Sequence, residues 1–295
     1  MKIKSAIVAL IMGSIGIAFG QENATPPPFS KLAKTYDYNA KKPLNVKEKP
    51  QAESGFTALH LTFTGTNGKS VPGLFWRPKG DGKVPCVLLL HGMGSNKEDM
   101  TRTFGNELVK KGYAVLALDA PFHGERKPQD DGKKNDQARF QMQFVSTVTE
   151  GIKDWRRGID YLETRKDINT QKLGLIGYSM GSMMGSIFAA VDDRVKASAF
   201  CVGGDPILPM AATLPAIARS TVYSVASSLF VGHIAPRPVL FINGIKDTTM
   251  PEAAAKRLID AAQKPKEVIW ADAGHILPPK DAAQAVTWLE KTLGK

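Results

Sequence analysis

Apolar residues along this chain fall into two rhythms. Continuous apolar runs at 84–90, 113–118, 173–176, 195–202 and 239–242 have the length and composition of strands buried on both faces, and 267–271 reads as a last strand of the series. Between them lie segments that read as helices, at 97–111, 137–163, 251–262 and 280–293. Asn96 or Ser95 is placed to cap the first and Gly112 to end it; Pro251 opens the third. The second is one long helix or two, with Trp155, Ile159 and Leu162 toward the sheet. Upstream, 56–64 alternates apolar and polar positions and 70–77 does so more weakly. Thr66-Asn67-Gly68-Lys69 between them signals a hairpin. From residue 84 onward strands and helices alternate, which predicts a mostly parallel sheet covered on both faces.

Two stretches depart from this alternation. Residues 21–54 hold Pro26-Pro27-Pro28, Pro43, Pro50 and several lysines without a sustained apolar period, and read as an extended arm draped on the domain or loose in solvent. Residues 203–237 hold Pro206, Pro209, Pro215 and Pro236 with short apolar helical fragments; 204–237 is placed to form a small cap.

Composition narrows the class. With 295 residues, 43% of them hydrophobic and 23% charged, the chain suits one large folded domain or two small ones. The formal charge is +11, but the lysines and arginines are scattered, no long basic run occurs, and no nucleic-acid partner is expected. Lys2 and Lys4 precede an apolar run at 6–17 and the small-x-small triplet Ala18-Phe19-Gly20. Residues 1–20 therefore read as a secretory signal cleaved near Gly20, giving a periplasmic or secreted protein. An uncleaved N-terminal anchor is the alternative, although the run falls short of the roughly 20 residues that span a bilayer. No stable membrane insertion is expected once the signal is removed.

Candidate chemistry collects at strand ends. The run at 173–176 leads into Gly177-Tyr178-Ser179-Met180-Gly181 and then a small-residue helix. This is a G-x-S-x-G turn in a strand-to-helix context, which holds a serine hydroxyl exposed above a helix N-terminus. Asp247 follows the strand at 239–242, and His275 follows the strand at 267–271. Nucleophile, acid and histidine thus come in the chain order of a serine hydrolase built on a parallel sheet. His91-Gly92-Met93-Gly94 ends the strand at 84–90 with a glycine-rich bend that can turn a backbone N–H toward a pocket. In the loop 119–126, Asp119 and His123 are expected to hydrogen-bond to each other and fix its shape, a second dyad being the alternative. His60 and His233 read as structural.

With these motifs the sequence resembles the α/β-hydrolase superfamily, in its dienelactone-hydrolase-like and acetyl-xylan-esterase-like branch, over roughly residues 56–293. The resemblance implies an α/β-hydrolase fold over 55–295 with Ser179 as nucleophile, His275 as base and Asp247 as its partner. It makes the backbone N–H groups of Met93 and Met180 the oxyanion donors, with His91, Gly92, Asp119 and His123 shaping the pocket. It implies no cofactor and no metal. Dienelactone hydrolases proper carry cysteine at the nucleophile position, so the serine here favours ester hydrolysis over lactone opening. In the superfamily's strand order the strand ending at Ile176 separates those of Cys86 and Cys201, so both thiols are expected free. The resulting expectation is an exported serine esterase for small-molecule carboxylic esters. A peptidase or amidase of the same fold, or a non-catalytic binding protein, are the alternatives, and oligomeric state is left open.

Overall fold

The computed structural model describes residues 25–53, 55–128 and 137–294. The expected signal segment 1–20 lies outside the described residues, as do residues 129–136, a polar stretch that reads from the sequence as an insertion. Strands β1 (Lys47–Gln51), β2 (Phe56–Thr64), β3 (Ser70–Pro78), β4 (Val84–Leu90), β5 (Ala114–Leu118), β6 (Ile168–Tyr178), β7 (Val195–Cys201), β8 (Val239–Gly244) and β9 (Lys266–Ala271) form one sheet in the order β1-β2-β3-β5-β4-β6-β7-β8-β9. The first three pair antiparallel and β3 joins β5 antiparallel; every pairing from β5 across to β9 is parallel. This is the α/β-hydrolase fold.

The helices are α1 (Phe29–Ala33), α2 (Lys97–Met100), α3 (Asn106–Lys110), α4 (Gln137–Thr164), α5 (Met180–Val191), α6 (Ala216–Val225), α7 (Glu252–Ala261) and α8 (Pro279–Leu293). One apolar cluster joins α4, α5 and α7 to one sheet face; it includes Trp155, Ile159 and Leu162, as their spacing predicted. A second joins α8 and the α2–α3 segment to the other face. The central strands are buried on both sides and so read as unbroken apolar runs.

Local departures have physical causes. The expected helix 97–111 is interrupted by a π-helical turn at Thr101–Gly105, where the Trp76 ring lies against Gly105. Its N-cap is Asn96, whose side chain accepts the Asp99 N–H at 2.9 Å. Strand β6 is eleven residues long rather than four, with a register shift between Leu173 and Gly174 where its mostly half-buried first part meets the buried second.

Residues 25–53 carry α1 and β1. Tyr36 is fully buried and its hydroxyl bonds the Ser224 carbonyl. Arg156 holds the Tyr36 carbonyl at 2.8 Å, and the buried Arg157 holds those of Ala40 and Lys42 at 3.1 and 2.8 Å. Residues 204–237 are short helices tied at their base by Asp205. Its carboxylate accepts from the N–H groups of Ile207, Leu208 and Ser228, each at 2.9 Å, and from the Ser228 hydroxyl.

Cys86 on β4 and Cys201 on β7 are free and buried, with β6 between them. Two strand spacings of about 4.8 Å exceed the ~7 Å reach of a disulfide. Among the described residues no helix is long and apolar enough to cross a membrane.

Candidate active site

Parallel register brings the working ends of five strands to one sheet edge. Leu90 lies beside Gly177, Tyr178 beside Cys201, and Gly244 beside Ala271. The loops that follow carry residues 91–94, Ser179, Asp247 and His275, so segments far apart in sequence meet there.

Ser179 adopts φ 54° and ψ −115°, a left-handed conformation that costs a non-glycine residue energy and is held by its surroundings. Its N–H donates to the Cys201 carbonyl at 2.9 Å, and its carbonyl accepts from Ser182 N at 2.8 Å. Val202, next to that Cys201 carbonyl, is also left-handed at φ 47° and bonds the Ile242 carbonyl at 2.7 Å. Two positive-φ residues thus stand at neighbouring strand ends, each tied by its N–H to a carbonyl of the next strand. The turn demands glycine on both sides of the serine. A Cβ on Gly177 would lie 2.4 Å from the Gly181 carbonyl oxygen, and one on Gly181 would lie 2.1 Å from that of Leu90.

His275 Nε2 lies 2.8 Å from Ser179 Oγ, and its Nδ1 lies 2.7 Å from Asp247 Oδ2. A carboxylate only accepts, so Nδ1 carries the proton and Nε2 is left to accept from the serine hydroxyl. The other Asp247 oxygen accepts the N–H groups of Thr249 and Met250 at 2.8 and 2.9 Å, which aims the buried carboxylate at the histidine. Met180 is the first residue of α5, so its N–H has no intrahelical acceptor. Met93 follows Gly92, and a Cβ on Gly92 would stand 3.3 Å from Ser179 Cβ. The 91–94 bend thus lies against the serine turn.

The loop after β5 is built differently from the expectation. Asp119 and His123 are not hydrogen-bonded to each other. Asp119 is fully buried and accepts from Lys97 N at 3.0 Å, Lys97 Nζ at 2.8 Å and Glu125 N at 3.0 Å. A buried ammonium and two backbone amides take the lone pairs that His123 would have used. His123 instead turns Nδ1 to the Pro121 carbonyl at 2.9 Å and rests its ring 5.2 Å from that of His91. His60 bonds Glu125 at 2.7 Å and His233 stacks on Phe29 at 3.8 Å, both away from the serine.

Two contributors escaped the sequence reading. Lys97 is buried at a helix N-terminus, where a cation is disfavoured by the helix dipole; that anomaly is the signal that a buried carboxylate lies nearby. Tyr178, inside the G-x-S-x-G turn itself, reaches across to the histidine loop. Its hydroxyl donates to the His275 carbonyl at 3.0 Å and accepts Leu277 N–H at 2.9 Å. Burial pushes its phenol up to about 12, so it remains a donor at neutral pH.

A model of the dienelactone hydrolase family matches residues 71–277, most of the chain and every residue of this site. The chain belongs to the dienelactone hydrolase family. As a member it is a hydrolase, with serine where the hydroxyl–imidazole–carboxylate chain begins. Among curated relatives, YtaP of Bacillus subtilis (strain 168) is 28% identical over 265 residues, covering 81% of this chain and 85% of that protein. Esterase YjfP of Escherichia coli (strain K12) is 25% identical over 207 residues, covering 65% of this chain and 80% of its own length. An acetyl xylan esterase from Paenibacillus sp. R4 shares the fold at TM-score 0.74 and 18% identity, over 92% of this chain and 97% of that one.

Proposed function

We propose that this protein is an exported serine esterase that cleaves small carboxylic esters through an acyl-enzyme. The observation that carries the reading is the unbroken chain from Ser179 Oγ through His275 to Asp247, at 2.8 and 2.7 Å. His275 Nε2 takes the Ser179 proton as Oγ attacks the ester carbonyl, and Asp247 stabilises the resulting imidazolium. The N–H groups of Met93 and Met180 take the negative charge that forms on the carbonyl oxygen. The imidazolium returns its proton to the leaving alkoxide, releasing the alcohol and leaving the acyl group on Oγ. Water, deprotonated by the same histidine, then attacks the acyl carbon, and the imidazolium gives that proton to Ser179 Oγ as the acyl–Oγ bond breaks and the acid leaves.

Residues 55–295 serve as the catalytic domain in this reading and 204–237 as its cap. The Asp205 bonds support a fixed cap rather than a swinging lid. Export rests on the sequence of residues 1–20. Carboxylic esters are favoured by the names of YjfP, an esterase, and of the acetyl xylan esterase that shares the fold. A cap of this size gives little room for a long acyl chain, and each added methylene gains only ~0.8 kcal/mol while space lasts.

The test is a series of nitrophenyl esters from acetate to octanoate, beside acetylated sugars and aminoacyl anilides. The specificity constant should peak at about four carbons or fewer and then fall. A steady rise through octanoate, or faster cleavage of the anilides, would contradict the reading.

A further inference from the structure

His91 stands directly before the backbone assigned to the oxyanion site. Its ring is buried and makes two hydrogen bonds. Ala120 N–H points at Nε2 at 3.0 Å, and Nδ1 lies 2.8 Å from the Gly92 carbonyl oxygen. These partners determine the tautomer. A backbone N–H can only donate, so Nε2 is bare; a carbonyl can only accept, so Nδ1 carries the proton.

The Gly92 carbonyl belongs to the same planar unit as the Met93 N–H. In a trans peptide the two point in opposite directions, so whatever fixes the oxygen also aims the hydrogen. This oxygen is fixed twice, by His91 Nδ1–H and by Ser95 N–H at 3.2 Å. Donors on the carbonyl also polarise the peptide and strengthen its N–H as a donor. The rest of the bend is clamped to the same step of the neighbouring loop. Residue 91 is held by Ala120, and Lys97, past the bend, gives its N–H and its ammonium to Asp119.

We propose that His91 is a positioning residue: as the neutral Nδ1–H tautomer, bridging Ala120 N–H and the Gly92 carbonyl, it holds the Gly92–Met93 peptide so that the Met93 N–H faces the oxygen of the tetrahedral intermediate. This rests on Met93 being an oxyanion donor. It goes beyond that reading by assigning the aim of the donor to one side-chain hydrogen bond. Burial, helped by His123, outweighs the Gly92 hydrogen bond and the charges of Asp119 and Asp99, which act the other way, and holds the imidazole down to about 4, so it is neutral in the working range.

Two near-isosteric variants divide the two bonds. His91→Asn places an amide nitrogen close to the Nδ1 position and keeps the donor to Gly92. His91→Gln places its amide near Nε2 and keeps only the partner of Ala120. Turnover of a short nitrophenyl ester should fall by about 100-fold in His91→Gln, with KM little changed, and far less in His91→Asn. Affinity for a boronic acid inhibitor, which mimics the tetrahedral oxyanion, should fall in step with kcat. Equal losses in the two variants that follow their melting temperatures would overturn the proposal, because a merely structural histidine behaves that way. Should either variant fail to fold, nitrogen-15 NMR of the wild-type imidazole decides. A proton on Nδ1 at pH 7 supports the proposal; a proton on Nε2 or an imidazolium defeats it. End-point fluorophosphonate labelling of wild-type Ser179 separates this from the parent reading, since an unlabelled serine would remove the nucleophile assignment whatever His91 does.

Discussion

Tyr178 and His275 are joined across the site: the tyrosine beside Ser179 donates its hydroxyl proton to the carbonyl of the histidine whose ring abuts that serine, at 3.0 Å. The phenol oxygen in turn accepts Leu277 N–H, so one hydroxyl grips the histidine loop at two points. The distance from imidazole to serine is therefore fixed from the elbow as well as from Asp247. Replacing Tyr178 by phenylalanine leaves a partly buried N–H and C=O without their partner, which costs about 1–3 kcal/mol. Tyr178→Phe should lower the unfolding free energy by that order in denaturant titration. It should also reduce kcat for a short ester by more than tenfold as the histidine loop loosens, since misplacing a reacting group by about 1 Å costs on the order of 100-fold. Unchanged kcat alongside the stability loss would show that Asp247 alone positions the ring.

Asp247 and Asp119 both follow strands, yet their surroundings predict opposite signatures. Asp247→Asn should keep the fold and lose about 10⁴-fold in kcat, because an amide favours the wrong imidazole tautomer. Lys97→Met leaves the Asp119 carboxylate buried without its cation, which costs about 3–5 kcal/mol of stability. Steady-state kinetics and denaturant unfolding on the two variants should give an inactive stable protein and a destabilised one, respectively. The reverse pattern would mean that Asp119 belongs to the reacting group.

His91 gives the stability curve a definite sign. Its imidazole is held at about 4, against an ordinary value of 6.5, mainly by burial. Above 6.5 both folded and unfolded chains carry it neutral and it adds no pH dependence. As the pH falls from 6.5 toward 4, the unfolded chain takes up a proton that the folded chain refuses, and stability drops. The full difference is about 3 kcal/mol at 1.36 kcal/mol per unit. His91→Asn lacks this group, so the gap in unfolding free energy between wild type and variant should close by about that amount between pH 7 and 4. Parallel curves would show that the imidazole is protonated within the fold.

How much of this was readable in advance follows from what each element buries. Strands such as Val84–Leu90 bury both faces and so announce themselves as apolar runs; Ser179 and Asp247 follow strands of this kind, whereas His275 follows the largely exposed edge strand β9. Strand β1 gave no such sign. All five residues of Lys47–Gln51 are exposed, and the strand is held to β2 through its backbone, with lysines and Pro50 guarding the open edge. The short helix α1 was equally hidden, because one buried leucine, Leu32, makes no period. The Asp119–His123 bond failed as an expectation because the buried Lys97 takes the Asp119 carboxylate. Its burial depends on a fold contact across 22 positions that local pattern does not encode.

The central claim is that Ser179 is the nucleophile, and covalent labelling tests it most directly. A fluorophosphonate probe should add once per chain in intact-mass measurement, and peptide mapping should place the adduct on Ser179, because the strained turn and the His275 bond meet at this hydroxyl. Ser179→Ala should take up none and lose turnover by several orders of magnitude, keeping only what binding and the oxyanion donors supply. An adduct that persists in Ser179→Ala, or that maps to another residue in the wild type, would contradict the account.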